Sequence, residues 1–313
     1  MSALICGSFA YDTIMVFQDH FKNHILPDKV HILNVAFHVP DLRREFGGCA
    51  ANIAYNLKLL GGRPLPMGTV GKDFAPYAEW LDRHAIPRNH IKQIESAYTA
   101  QAFITTDQDD NQITAFHPGA MDFSHEVTVD EADGVTIGMV SPDGRQGMIE
   151  HAEQFVEAGI PFIFDPGQAM PLFTGDDFRQ FIEQATWVCV NDYESQLLQD
   201  RTGWSPHEIA GKVEALIVTL GGKGSYIYHS ERRIDIPPAP VSAIVDPTGC
   251  GDAFRGGLLY GLMNGLDWEV TGRIAALMGA IKIEQHGTQN HTFTADEFRD
   301  RYQAAFGQPL EAP

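Results

Sequence analysis

The chain has 313 residues and is 44% hydrophobic, enough for one large α/β domain or two ordinary ones with a substantial core. Its formal net charge is −19, and no basic stretch offsets it, which excludes nucleic-acid and anionic-membrane partners but not a phosphate ligand, whose site needs only local N–H groups and a metal ion. No apolar run reaches 18 residues, so no membrane span is expected, and four cysteines without C-x-x-C spacing exclude a disulfide framework or zinc site and fit a reducing cytoplasm.

In chain order, Ala3 to Gly7 reads as a buried strand, because Met1 to Gly7 lacks both the basic region and the long apolar core of a signal peptide. Thr13 to Phe46 has strand-like alternation, notably from Leu33 to Val39, around a polar irregular middle. Cys49 to Leu60 predicts a helix that stops at Gly61-Gly62. Thr99 to His117 predicts two strands, Ala100 to Thr106 and Gln112 to Phe116, joined by an acidic turn at Asp107 to Asn111. Val135 to Val140, Pro161 to Phe164, Trp187 to Val190 and Ala215 to Leu220 are short apolar strands, with helices such as Met148 to Ala158 between them. Ser205-Pro206-His207-Glu208 and Thr294-Ala295-Asp296-Glu297 are capping boxes that start helices. Gly224 to Ile236 reads as a hairpin. The alternation predicts a mostly parallel sheet covered on both faces. The two excursions that break it form a small separate β-sheet.

The most informative stretch is Asp246-Pro247-Thr248-Gly249-Cys250-Gly251-Asp252. A β-branched run, Val241 to Val245, precedes it, and a helical pattern with Phe254, Leu258, Leu259 and Leu262 follows. Small residues where a strand turns into a helix leave N–H groups unpaired, and the helix dipole favours an anion there. A carboxylate at that position would repel a bound phosphate. It fits a base, Asp252, that takes a proton from a hydroxyl while the N–H groups of Gly249, Cys250 and Gly251 hold the charge on a transferred phosphoryl group. The same pattern also serves as a plain helix cap. Cys250, at a helix start, is a candidate nucleophile, though no base stands beside it in sequence. His20 and His24 have i, i+4 spacing without a carboxylate motif and read as surface residues.

Further motifs follow in order: Gly7-Ser8-Phe9-Ala10-Tyr11-Asp12, Gly47-Gly48-Cys49-Ala50-Ala51-Asn52, Val70-Gly71-Lys72-Asp73, Asn191-Asp192-Tyr193-Glu194 and Val218-Thr219-Leu220-Gly221-Gly222-Lys223-Gly224-Ser225. With Asp246 to Asp252 they resemble the signatures of the ribokinase-like (PfkB) sugar and nucleoside kinases across nearly the whole chain. Asp107 to Thr114 and Phe164 to Gln168 are most similar to the nucleoside-kinase branch, adenosine kinase included. The glycine-rich Gly221 to Gly224 is not a Walker A loop, since a hairpin and not a helix follows it. No G-x-G-x-x-G follows the first strand, which disfavours a dinucleotide fold.

The resemblance implies a doubly wound α/β fold with a mostly parallel sheet. Residues 1–12, 47–98 and 118–313 would form the nucleotide-binding domain, and 13–46 and 99–117 a β-sheet lid over the acceptor. It implies a kinase that uses ATP and Mg2+, with the nucleotide on Asn191, Thr219, Gly221, Gly222 and Gly224, and Gln285 to His291 flanking the adenine. Asn191 and Glu194 would organise magnesium through water, and Asp246 with the Thr248 carbonyl would flank a monovalent cation such as K+. Asp12, Gly47, Gly48 and Asn52 would hold the acceptor's hydroxyls, with Gln168 and Gln112 as candidates for contacts to base or ribose. Pro247 and Cys250 depart from the Thr and Ala most common in the family. The expected acceptor is the 5′-hydroxyl of a purine nucleoside such as adenosine, with ribose or another sugar as the alternative. A binding protein that lost catalysis is the rival from another class, and an intact Asp252 speaks against it. The expected assembly is a monomer or homodimer.

Overall fold

The computed structural model describes residues 1–25, 32, 34–109 and 111–310, all with side chains except Glu131. The chain opens with β1 (Ser2–Cys6) and then enters β2 (Ala10–Val16) and β3 (Asp41–Gly47). α1 (Cys49–Leu59), β4 (Pro64–Gly71), α2 (Ala75–Arg83) and β5 (His90–Ile94) follow, then β6 (Ala100–Thr106) and β7 (Gln112–His117). The middle runs through β8 (Val135–Val140), α3 (Arg145–Glu157), β9 (Phe162–Phe164), α4 (Gly175–Gln184), β10 (Trp187–Asn191), α5 (Asp192–Thr202) and α6 (Pro206–Ala210). β11 (Ala215–Thr219), β12 (Ser225–His229) and β13 (Arg232–Ile236) precede three helices, α7 (Cys250–Met263), α8 (Trp268–Ile283) and α9 (Ala295–Phe306).

Nine strands form the main sheet in the order β13-β12-β11-β10-β9-β8-β1-β4-β5. Pairing is parallel from β11 to β5, and the β12–β13 hairpin adds an antiparallel edge. The apolar strand runs have a direct cause in packing. Along β1, Ala3 and Ile5 join the core on one face, and Leu4 and Cys6 the core on the other. Ala215 and Ile217 of β11 divide from Leu216 and Val218 in the same way. Because successive side chains point to opposite faces and both faces are covered, no polar alternation survives. α1, α2, α7 and α8 cover the first face, and α3 to α6 the second. Burying each large side chain of the α7 stripe, such as Phe254, Leu258 and Leu259, contributes roughly 1.5–3 kcal/mol.

The two excursions do meet in a second sheet, ordered β3-β2-β6-β7. Asp107 closes its turn, accepting from the N–H groups of Asp109 and Asn111 through one carboxylate oxygen and from Phe21 N–H through the other. Three expectations change. The strand expected from Leu33 to Val39 is not one: residues 34–39 pair with no neighbour, and Leu33 lies outside the described residues. The alternation there is nonetheless real, because Phe37 points inward onto Phe17 and Phe21. The β-branched run Val241 to Val245 is a loop. Prolines 237, 238, 240 and 247 supply no N–H for a ladder, and Val245 and Asp246 instead donate to Ile283 O at the end of α8. The third helix starts at Arg145, ahead of the expected Met148. Both expected capping boxes form, at Ser205 and Thr294.

Candidate active site

The site is built where α7 begins. Gly249 takes a left-handed conformation with φ 79° as the N-cap of α7, and a Cβ there would stand 2.9 Å from Thr288 Cγ2. Glycine is therefore required twice over, by backbone conformation and by space. Among the described residues no acceptor faces the N–H of Gly249, Gly251 or Asp252. The Cys250 N–H differs from expectation: it already donates to Pro247 O at 3.2 Å, closing a turn. One of the three expected anion donors is thus engaged, and Asp252 N–H, which sequence reading missed, stands free in its stead.

Asp252 projects from the first turn of α7 toward α1, where Asn52 Nδ2 donates to its Oδ2 at 2.8 Å. Burial pushes its carboxyl up to about 6; the Asn52 hydrogen bond and the Arg255 charge pull the other way. Asn52 is held in turn: Gln289 Nε2 donates to Asn52 Oδ1 at 2.8 Å, and Trp80 Nε1 donates to Gln289 Oε1 at 2.9 Å. The amide expected to meet the acceptor is thus turned to Asp252. Residues expected to flank adenine are committed elsewhere, Gln289 to α1 and α2, and Thr288 to Phe46 O of β3.

Asp12 lies within β2 of the small sheet, although residues 1–12 were expected to belong to the nucleotide-binding domain. It faces Glu45 across the β2–β3 ladder and Ala102 across β2–β6. Burial raises its carboxyl to about 6, helped by the charges of Glu45 and Asp246. Gly47 adjoins it, for a Cβ there would sit 2.6 Å from Asp12 Oδ2. Gly48 turns the chain from β3 into α1 at φ 91°, with Ser8 O, Ala10 N and Phe9 Cα all within 2.6 Å of a notional Cβ. The ladder register decides which aromatics share the face of Asp12. Ala102 pairs with Phe116, so Phe116 is on that face, while Phe103, one residue along, is on the other. Phe9 and Tyr11 are core residues, and Phe37 packs among Phe17 and Phe21. Gln112 pairs with Thr106 and shares the Asp12 face.

On the far side of α7, Asn191 and Glu194 cap α5 reciprocally. Glu194 N–H donates to Asn191 Oδ1 at 2.7 Å, and Asn191 N–H donates to Glu194 Oε2 at 2.8 Å. The box uses one oxygen of each and sets both at the carboxyl end of β10, a hard-oxygen donor set suited to a hydrated magnesium ion. Thr219 ends the neighbouring β11. Cβ atoms at Gly221 and Gly222 would meet nothing within 4 Å, so this turn presents bare backbone, while Gly224 (φ 92°) is pressed against Ile236 O. Gln168 lies exposed after β9.

Two charged residues that sequence reading passed over tie these parts together. Arg255, one turn beyond Asp252, donates from Nε and Nη2 to the Asp165 carboxylate at 2.6 and 2.8 Å, a buried fork. Its Nη1 also donates to Gly251 O at 3.3 Å, and Nη2 lies 3.9 Å from Glu194 Oε2. Position i+3 from Asp252 was the available signal. Lys282, with 0% exposure, donates from Nζ to Asp246 O at 2.7 Å and Gln285 O at 3.2 Å. The Asp246 carboxylate accepts from Thr248 and Gly287 N–H, both at 2.9 Å. Burial raises the Cys250 thiol to about 11, against the lowered value a nucleophile needs. Away from the site, the carboxylates of Asp107 and Asp109 and the His20 ring come close enough to share an ion, but Lys22 already pairs with Asp109 at 2.7 Å.

The arrangement can deprotonate a hydroxyl beside N–H groups aimed at an anion. The model of the pfkB family carbohydrate kinases matches residues 12–295. A nucleoside kinase of Methanocaldococcus jannaschii is 30% identical over 270 residues, 86% of this chain and 89% of its own. A Burkholderia thailandensis nucleoside kinase solved with inosine superposes with a TM-score of 0.90 at 50% identity, covering 99% of this chain and 100% of that one. A probable fructokinase of Arabidopsis thaliana is 26% identical over 251 residues, 72% of this chain and 65% of its own.

Proposed function

The chain belongs to the pfkB family of carbohydrate kinases, and from that premise we propose that it phosphorylates the 5′-hydroxyl of purine nucleosides with ATP. The observation that carries the mechanism is the half-buried Asp252 carboxylate, held by Asn52, beside the free N–H groups of Gly249 and Gly251. Asp252 accepts the hydroxyl proton as the substrate oxygen forms its bond to the γ-phosphorus. The bond from that phosphorus to the bridging oxygen breaks, and ADP leaves with the electron pair. The N–H groups hold the charge spread over the transferring phosphoryl oxygens. Magnesium would be held through water by Glu194 and Asn191, neutralising phosphate charge.

On the acceptor side, Asp12 accepts hydrogen bonds from the ribose hydroxyls, and the Gly47-Gly48 junction lets backbone approach the sugar. The small sheet acts as the lid that excludes water. Asp73 ties it to the main sheet by accepting from Thr99 N–H and Gln101 Nε2. A nucleoside needs an apolar surface beyond the sugar. Phe116, Ile14 and Ile104, on the Asp12 face, supply it. Two structures of one relative bear on the acceptor: the nucleoside kinase of Burkholderia thailandensis was solved with inosine and with ADP-inosine. A panel reading ADP release tests the assignment. Adenosine or inosine should exceed ribose in kcat/KM by at least about tenfold, ~1.4 kcal/mol of extra transition-state binding. Ribose or fructose ahead of every nucleoside refutes the acceptor and leaves the kinase.

A further inference from the structure

We infer that the Lys282 ammonium is a built-in monovalent cation, taking the place of the potassium ion expected beside Asp246, so that this kinase works without one. The argument starts from the cost of burial. An ammonium removed from water is expensive unless its N–H groups meet oxygen acceptors. Lys282 has no exposed surface, and its Nζ meets two backbone carbonyls, Asp246 O at 2.7 Å and Gln285 O at 3.2 Å. These belong to the two loops that would enclose the ion, one running into the anion hole and the other leaving α8. Lys282 sits in the last turn of α8, where the helix dipole favours a positive charge.

The donor set does not fit an additional ion. Both carboxylate oxygens of Asp246 accept from backbone, Thr248 N–H and Gly287 N–H. The Cys250 thiol also points at Asp246 O, at 4.0 Å. Two backbone carbonyls beside the expected ion position, Asp246 O and Gln285 O, already meet an equal charge in the ammonium. What such an ion does electrostatically, a fixed ammonium does here: it pins the loop from Asp246 to Gly251 and places a positive charge behind the anion hole. Lys282 is thus a positioning residue that never meets substrate.

The inference rests on the anion-hole reading of that loop, and the test includes an arm that needs no turnover. Thermal unfolding and ADP release are measured in potassium chloride and in tetramethylammonium chloride at equal ionic strength. Wild-type protein should give the same Tm and turnover in both salts. Lys282→Ala, which opens the ammonium's space, should lose turnover in tetramethylammonium and recover both Tm and turnover in potassium. Lys282→Met, which fills that space without charge, should lose turnover and not respond. Wild-type activation by potassium of more than about tenfold, or a Tm that rises with potassium, overturns the inference. So does Lys282→Ala that remains insensitive to potassium. If neither variant folds, the wild-type salt comparison decides by itself.

Discussion

Replacing Asp252 by Asn should inactivate the enzyme and stabilise it at the same time. The carboxyl is pushed from 3.8 to about 6, so the folded state prefers it protonated. That preference supports stability below about pH 4 and is lost as pH rises through 6; at pH 8 the ionised group is a net cost. A shift of about two units corresponds to a ceiling of ~3 kcal/mol at 1.36 kcal/mol per unit. Asn removes the charge and can still accept from Asn52 Nδ2 through its amide oxygen, so about 1–3 kcal/mol of stabilisation is expected at pH 8. At pH 4, where wild type is protonated, the gain should vanish. Loss of the base should lower kcat by about 10²- to 10⁴-fold. The wild-type acid limb should inflect near 6, and kcat isolates Asp252 because bound acceptor engages Asp12, which is also raised to about 6. Denaturant titrations at the two pH values, with single-turnover kinetics, check each part. Near wild-type turnover would reduce Asp252 to a helix cap. Equal stability changes at pH 4 and pH 8 would refute the burial argument.

Asp12→Ala should raise the nucleoside KM, because a lost charge-assisted hydrogen bond costs roughly 1.5–3 kcal/mol, while ATP KM holds; equal weakening of both substrates would make Asp12 structural. Cys250→Ala should leave turnover within about tenfold, since the thiol is raised to about 11 and stays protonated; a covalent intermediate trapped at this thiol would overturn direct transfer. Arg255→Met should destabilise by about 3–5 kcal/mol by leaving Asp165 buried without its partner, and Asp165→Asn in the same chain should recover part of that loss in a double-mutant cycle.

The ordered motifs by themselves determined the family, the kinase chemistry and the two-sheet architecture. They do so because phosphate-facing turns demand glycine at fixed places, and a sheet buried on both faces demands unbroken apolar strands. The capping boxes at Ser205 and Thr294 were legible for the same local reason: their partners lie three residues apart. Tertiary structure decided what depends on distant neighbours. Asn52 and Asp252 are 200 positions apart, so no spacing rule could show that the amide serves the carboxylate. Phe116 and Phe103 look alike in sequence, and only the β6–β7 register puts one on the Asp12 face and the other away from it. Arg255 on α7 and Lys282 on α8 belong to none of the ordered motifs. Their meaning came from burial, because a charge removed from water must find partners, and the partners it finds, Asp165 for one and the carbonyls of Asp246 and Gln285 for the other, are brought to it by the fold.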